Sequence, residues 1–286
     1  MEFITYILLW VISRTLSILP RRITISIGQF FGFVMYYFFP IRKKVAKINL
    51  RIAFPNKSIR EVNSLVEKTY MHYGVLMFEF IKSHNNPPKE KIFKIDEKTK
   101  EILSSKEGLI FMTGHIGNWE MTIPILSMYK EVTAIVRKQK NSGGHKFFSE
   151  CRSLHNVELI TNKGSKRKML NAINSGRILI LASDQNAKHR GTYIDFFGMK
   201  SSIPKGAGHF HYSTKKNIVV GFCILDKDLN YSFHLEKLSL NNKYEQKEDL
   251  IVQINKIYVQ LLEKVIIKYP EQYFWFHKKW DKDIYK

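Results

Sequence analysis

The chain has 286 residues, of which 44% are hydrophobic and 13% aromatic, which excludes an intrinsically disordered protein and suffices for a real core. Lys and Arg number 46 against 25 Asp and Glu, a formal charge of +21. The expected partner is therefore polyanionic: nucleic acid, an anionic membrane, a phosphorylated substrate or an acidic carrier protein.

Residues 3–19 are apolar except for Arg14, and Pro20, Arg21 and Arg22 follow. Residues 23–41 carry no charge. Then come Arg42, Lys43, Lys44, Lys47, Arg51, Lys57 and Arg60 with no acid between them. No small-residue cleavage site follows the first stretch, so a removable signal peptide is not expected. Apolar segments beside a basic cluster predict membrane attachment through residues 1–41, on the cytoplasmic side, ahead of a separate domain over 42–286. A buried core hairpin is the alternative. Arg14 would cost about 2.5–3.5 kcal/mol at a bilayer centre, which favours a hairpin that does not fully cross.

Ser58-Ile59-Arg60-Glu61 reads as a capping box, and the apolar spacing after it predicts a helix over 60–82. Residues 85–92 read as a linker. Strands are expected at 108–113, 132–136, 157–160, 177–182, 218–225 and 231–238. Helices are expected at 119–129, 143–155, 165–175, 205–216 and 247–269. The alternation predicts an α/β domain with a mixed, largely parallel sheet flanked by helices. Two cysteines, Cys151 and Cys223, exclude a disulfide framework and a cysteine-based zinc site. They suit a reducing compartment.

The segment Gly114-His115-Ile116-Gly117-Asn118-Trp119-Glu120 directly follows the strand at 108–113. Ligands of α/β sheets gather beyond the carboxyl ends of strands, so His115 stands where chemistry is expected. Glu120, about one turn on, can fold back to the imidazole, fix its tautomer and leave the other nitrogen as a base. The bland alternative is a histidine that only satisfies a helix N-terminus. Arg137 and the pair Asp184-Gln185 follow two further strands. Zinc helices place two histidines at i and i+4, and position 119 is Trp; His209 and His211 lie in an expected helix. No metal is expected. GxSxG, GxxxxGK[ST] and GxGxxG are all absent, which removes support for a serine hydrolase, a P-loop enzyme and a Rossmann oxidoreductase. Aromatic residues do not interleave with the basic ones as in RNA-binding motifs, so nucleic acid is the weaker choice of polyanion.

His115-x4-Glu120 resembles the HX4D/E signature of glycerolipid acyltransferases. The ordered set resembles the bacterial lipid A biosynthesis acyltransferases more closely. It comprises Asn49-Leu50 with Phe54-Pro55, then Arg137, Arg152, Asp184-Gln185 and Phe196-Phe197-Gly198. It closes with Pro270, Gln272, Trp275, His277, Lys279 and Trp280. Ile203 replaces a usual threonine, and Lys279 stands where arginine is common. The resemblance implies acyl transfer from a thioester on acyl carrier protein or coenzyme A to a hydroxyl of an anionic lipid acceptor, a lipid A precursor, with a lysophospholipid, glycolipid or aminolipid as the alternative acceptor. It implies a site at the cytoplasmic face of a bacterial inner membrane, and no cofactor. His115 is the implied base and Glu120 its orienting acid. Arg137, Arg152 and Asn118, with nearby backbone N–H groups, would serve the oxyanion or acceptor phosphates, and Asp184 would hold an arginine.

Overall fold

A computed structural model describes residues 2–161, 166–241 and 244–286. Helices α1 (Glu2–Ile18) and α2 (Arg21–Phe38) break at Pro20, and α3 (Lys43–Ala53) follows a bend of 100° at Pro40. Helix α4 (Ile59–Ser83) starts with the expected capping box: Glu61 N donates to Ser58 Oγ at 3.3 Å and Ser58 N to Glu61 Oε2 at 2.8 Å. Strand β1 (Phe93–Ile95) and helix α5 (Glu97–Ser104) occupy a stretch that carries no clear periodicity. Then come β2 (Leu109–Thr113), α6 (Thr122–Ser127), β3 (Val132–Val136), α7 (Ser142–Arg152), β4 (Val157–Thr161), α8 (Lys166–Asn174) and β5 (Ile178–Ala182). The chain closes with β6 (Thr192–Phe196), β7 (Met199–Ile203), α9 (Gly206–Thr214), β8 (Ile218–Leu225), β9 (Tyr231–Lys237) and α10 (Lys247–Lys268). The helix expected over 119–129 is instead a 3₁₀ turn, Trp119–Met121, followed by the short α6, in which Pro124 offers no N–H to the helical ladder. The expected helix start at 165 lies outside the described residues.

The sheet order is β1-β9-β8-β2-β5-β3-β4, and every neighbouring pair is parallel except β8–β9. β6 and β7 form a separate hairpin. β2 is buried at all five positions because helices cover both faces of the sheet, which is why its sequence is a continuous apolar run. Two cores result. Ile110, Met112 and Leu179 pack with α3, α4, α9 and α10 on one face; Leu109, Phe111 and Ile178 pack with α5 and α6 on the other.

The N-terminal helices join this body rather than standing apart from it. α2 lies against α4 at backbone distance: a Cβ on Gly32 would sit 2.2 Å from the Tyr70 carbonyl, and one on Gly74 2.0 Å from that of Gly28. α1 packs on α7, where the Tyr6 hydroxyl donates to Glu150 at 2.8 Å. The opposite faces of α1 and α2 are left bare. Phe3 is 74% exposed, Ile18 82%, Phe30 68% and Phe38 70%. Among the described residues no single helix is long and apolar enough to cross a membrane; α2 and α3 pass that test only as a bent pair.

Candidate active site

The loop Gly114–Asn118 leaves β2 at the centre of the sheet and is fastened from three sides. Gly117 N donates to Gln272 O at 3.0 Å, Asn118 N to Cys223 O at 2.8 Å and Phe274 N to His115 O at 2.8 Å. Gly117 has φ +62° and lies so close to β8 that a Cβ would meet the Cys223 carbonyl at 2.0 Å, so only glycine fits. The buried His72 imidazole reaches Gly117 O at 3.1 Å. Burial pulls the His72 pKa down to about 4, so it is neutral there.

The carboxylate on His115 is Asp184, not Glu120. His115 Nδ1 lies 2.7 Å from Asp184 Oδ1, and His115 N donates to Asp184 Oδ2 at 3.0 Å. The sheet register explains the pairing. Thr113 of β2 stands opposite Ala182 of β5, so the residues two positions on, His115 and Asp184, emerge side by side. Burial alone would raise the Asp184 pKa, but the charges of His115 and Lys279 and the bonds from His115 hold it well below the ordinary 3.8. Burial likewise pushes the His115 pKa down, and Asp184 outweighs it, leaving it above the ordinary 6.5. With the proton on Nδ1 held by Asp184, Nε2 carries a lone pair, and the Gln185 amide stands 3.3 Å from it.

Glu120 is turned the other way by the 3₁₀ segment and grips Arg152 at the end of α7. Arg152 Nε donates to Oε2 at 2.8 Å and Nη2 to Oε1 at 2.7 Å. Nη1 reaches Phe148 O at 3.4 Å, and the guanidinium lies 4.8 Å from the Phe80 ring centroid. Of five N–H donors these contacts use three, leaving two for a ligand. Asp184 therefore holds His115 rather than an arginine. Asn118 is also corrected. It is fully buried, its amide donates to the Tyr231 hydroxyl at 2.8 Å, and that hydroxyl donates to Glu79. It supports the loop from beneath and offers nothing to a ligand. The N–H groups of His115, Gly117 and Asn118 are spent as well, so they make no oxyanion hole.

His115, Glu120, Arg137, Arg152 and Gln185 line one cavity of about 860 Å³ at the ends of β2, β3 and β5. Ile123, Ala134, Ile180 and Leu181 give it an apolar floor, and Arg137, Lys138 and Lys140 a basic rim. Trp119 stands edge-on to His115, centroids 5.0 Å apart, with Phe274 behind it at 5.7 Å. Such a cavity accommodates a molecule that is apolar at one end and anionic at the other. Ile203 is fully buried at the end of β7 and lies outside the lining.

The scattered motif residues meet beneath this pair. Asn49 donates to the carbonyls of Trp275 and His277 at 2.7 and 2.8 Å and accepts from the Tyr285 hydroxyl at 2.7 Å. Gln272 bonds Leu225 through both amide atoms, at 3.1 and 2.8 Å. Lys279 donates from Nζ to the Asp184 carbonyl. His72, Tyr273 and Tyr258 also buttress the site. Tyr258 donates to Thr113 O at 2.8 Å, and the buried Tyr273 hydroxyl has its pKa raised by burial and by the nearby Asp184 charge. Nothing in their local sequence marks His72 and Tyr258, whereas Tyr273 lies within the C-terminal element between Gln272 and Trp275. Among the described residues no three His, Cys, Asp or Glu side chains are grouped to hold a metal ion. His211 Nδ1 faces Lys216 O at 2.7 Å.

The profile of the bacterial lipid A biosynthesis acyltransferases matches residues 1–282. A lipid A biosynthesis palmitoleoyltransferase of Escherichia coli (strain K12) is 20% identical over 269 residues, covering 91% of this chain and 86% of that protein. A lipid A biosynthesis acyltransferase of Shigella flexneri matches to the same extent. Among solved structures, the 1-acyl-sn-glycerophosphate acyltransferase PlsC of Thermotoga maritima aligns over 87% of this chain and 98% of its own, at 12% identity and a TM-score of 0.37. With a histidine and a carboxylate meeting at the mouth of an apolar, basic-rimmed cavity and a family profile running through both, the chain belongs to the bacterial lipid A biosynthesis acyltransferases and is an acyltransferase.

Proposed function

We propose that the protein moves a fatty acyl group from a thioester, on acyl carrier protein or coenzyme A, to a hydroxyl of an anionic lipid A precursor. The observation that carries this reading is the His115–Asp184 contact of 2.7 Å, with Nε2 on the side of the cavity lined by His115 and Gln185. The acceptor hydroxyl replaces the Gln185 amide at Nε2 and gives up its proton to the imidazole as its oxygen attacks the thioester carbonyl. Asp184 stabilises the imidazolium that forms. The two free N–H groups of Arg152 receive the oxyanion, and Glu120 holds the guanidinium in place. Collapse expels the thiolate, which takes the proton back from His115. Arg137 and the rim lysines bind acceptor phosphate, and the apolar floor takes the acyl chain.

Residues 1–41 serve in this reading as the membrane element of a catalytic domain at 42–286, at the cytoplasmic face of the inner membrane. The support is the bare apolar faces of α1 and α2 beside exposed Arg14, Arg22, Arg42 and Lys44. Such a surface lies in the interface rather than crossing it. Mass spectrometry of membrane lipids from cells with and without the protein tests the assignment. A lipid A species lacking one secondary acyl chain is expected. A change confined to phospholipids would replace the acceptor, and an unchanged lipid profile would refute the proposal.

A further inference from the structure

Lys279 is 2% exposed, an uncommon place for an ammonium group. Its Nζ sits on the main-chain carbonyl of Asp184 and 4.7 Å from the Phe196 ring centroid. Its own backbone is pinned too. Lys279 N donates to the Tyr285 hydroxyl at 2.9 Å, and Lys279 O accepts from Asn186 at 3.1 Å and Ser201 at 3.0 Å. The residue thus bridges the C-terminal segment to the loop that carries Asp184. Burying a cation is costly unless it is paired, and a methionine would fill the same space without that cost. The charge therefore answers to something beyond packing.

We infer that Lys279 is a positioning residue for acyl transfer: its ammonium fixes the Asp184 loop so that the carboxylate stays ionised and aligned on His115. The inference rests on the proposed role of His115. The groups facing Lys279 are Asp184 and His115 at the strand ends and His277 and Tyr285 in its own segment. Asp184 is the anion among them, and its pKa is held down in part by Lys279. Burial pulls the Lys279 pKa down to about 8, against the pull of Asp184. On loss of that proton the carbonyl loses its charged donor and the carboxylate a cation that helps keep it ionised. Turnover then declines on the alkaline side. An arginine at this place keeps its charge throughout.

The test uses full-length protein in detergent micelles, with Lys279→Met, Lys279→Arg and His115→Ala assayed beside the wild type for kcat, KM and pH profile. Misplacing a catalytic pair by about 1 Å costs roughly 10²-fold. Lys279→Met is expected to lose kcat on that order with KM for donor and acceptor unchanged. Lys279→Arg is expected to restore most of it and to stay active above pH 8, where the wild type falls. If Lys279→Met does not fold, the alkaline limb of Lys279→Arg decides alone. An alkaline limb identical in wild type and Lys279→Arg, or a folded Lys279→Met with normal kcat, overturns the inference while an inactive His115→Ala leaves the proposed base in place. An active His115→Ala would instead remove the reading on which the inference rests.

Discussion

Replacing Asp184 by Asn separates the two carboxylates that surround the site. The substitution keeps shape and removes one charge 2.7 Å from His115 Nδ1. At an effective dielectric constant of about 20 that contact is worth at most about 6 kcal/mol of Coulomb energy, and desolvation offsets much of it. A hydrogen bond to a charged group contributes about 1.5–3 kcal/mol net, and its loss lowers the His115 pKa. The Asn amide also favours the wrong imidazole tautomer, so kcat should fall by about 10³-fold, within the range expected for a lost base. The base works only when neutral, so the wild-type rate rises with pH through a His115 pKa that Asp184 holds above 6.5. In Asp184→Asn that acid limb moves to lower pH, because the charge and hydrogen bond that raise the His115 pKa are lost. Glu120→Gln should move the limb in the same direction but less, because Glu120 acts on His115 only through its charge while its oxygens bond Arg152. The assay is transfer of a radiolabelled acyl chain by purified protein between pH 5 and 9. An acid limb that moves with Glu120→Gln and not with Asp184→Asn would refute the pairing. Stability carries the same signature. The depressed Asp184 pKa contributes stability above about pH 3.8, lost as pH falls through the folded value. The raised His115 pKa contributes stability below about pH 6.5, lost as pH rises through the folded value. The gap in denaturant midpoint between wild type and Asp184→Asn should therefore be widest between about pH 4 and 6.5.

Glu120→Gln and Arg152→Ala should be non-additive in ΔΔG‡ by about 1–3 kcal/mol, whereas Arg152→Ala and Asp184→Asn should approach additivity. Kinetic double-mutant cycles check this, and strong coupling of Arg152 to Asp184 instead would redraw the site. Arg152→Lys should recover only part of the loss of Arg152→Ala, because an ammonium cannot hold Glu120 through two parallel bonds. Phe30→Glu combined with Phe38→Glu, both on the bare face of α2, should lower vesicle binding by about tenfold or more with the circular dichroism unchanged. Wild-type sedimentation with vesicles would place membrane contact elsewhere.

The strands were legible because of where they lie. β2, β3, β5 and β8 are buried on both faces or nearly so, and a continuous apolar run bounded by polar residues has few other readings. β1 has three residues and no pattern to read. The hairpin β6–β7 was hidden because its turn, Phe197-Gly198, was visible while Thr192–Phe196 alternates too briefly to stand out. His115 and Asp184 do meet, as their positions at strand ends suggest, and Arg152, singled out only by the resemblance, lines the same cavity as His115. Their pairing was not legible. Glu120 lies five positions from His115 and Asp184 69 positions from it, and local spacing favours the nearer acid. The adjacency of β2 and β5 reverses that preference, and only tertiary structure supplies it. Asn118 illustrates the same limit. A polar residue after a strand reads as a ligand contact until its amide is found beneath the loop on Tyr231.

The central claim, that His115 is the base for transfer to a lipid hydroxyl, is tested most directly by turnover of purified His115→Ala with an acyl thioester and a lipid A precursor. The product is weighed by mass spectrometry, and folding is checked beforehand by thermal melting. The account predicts a kcat lower by about 10²–10⁴-fold, with the KM of both substrates near that of the wild type. Turnover at the wild-type rate in a folded His115→Ala protein would contradict it.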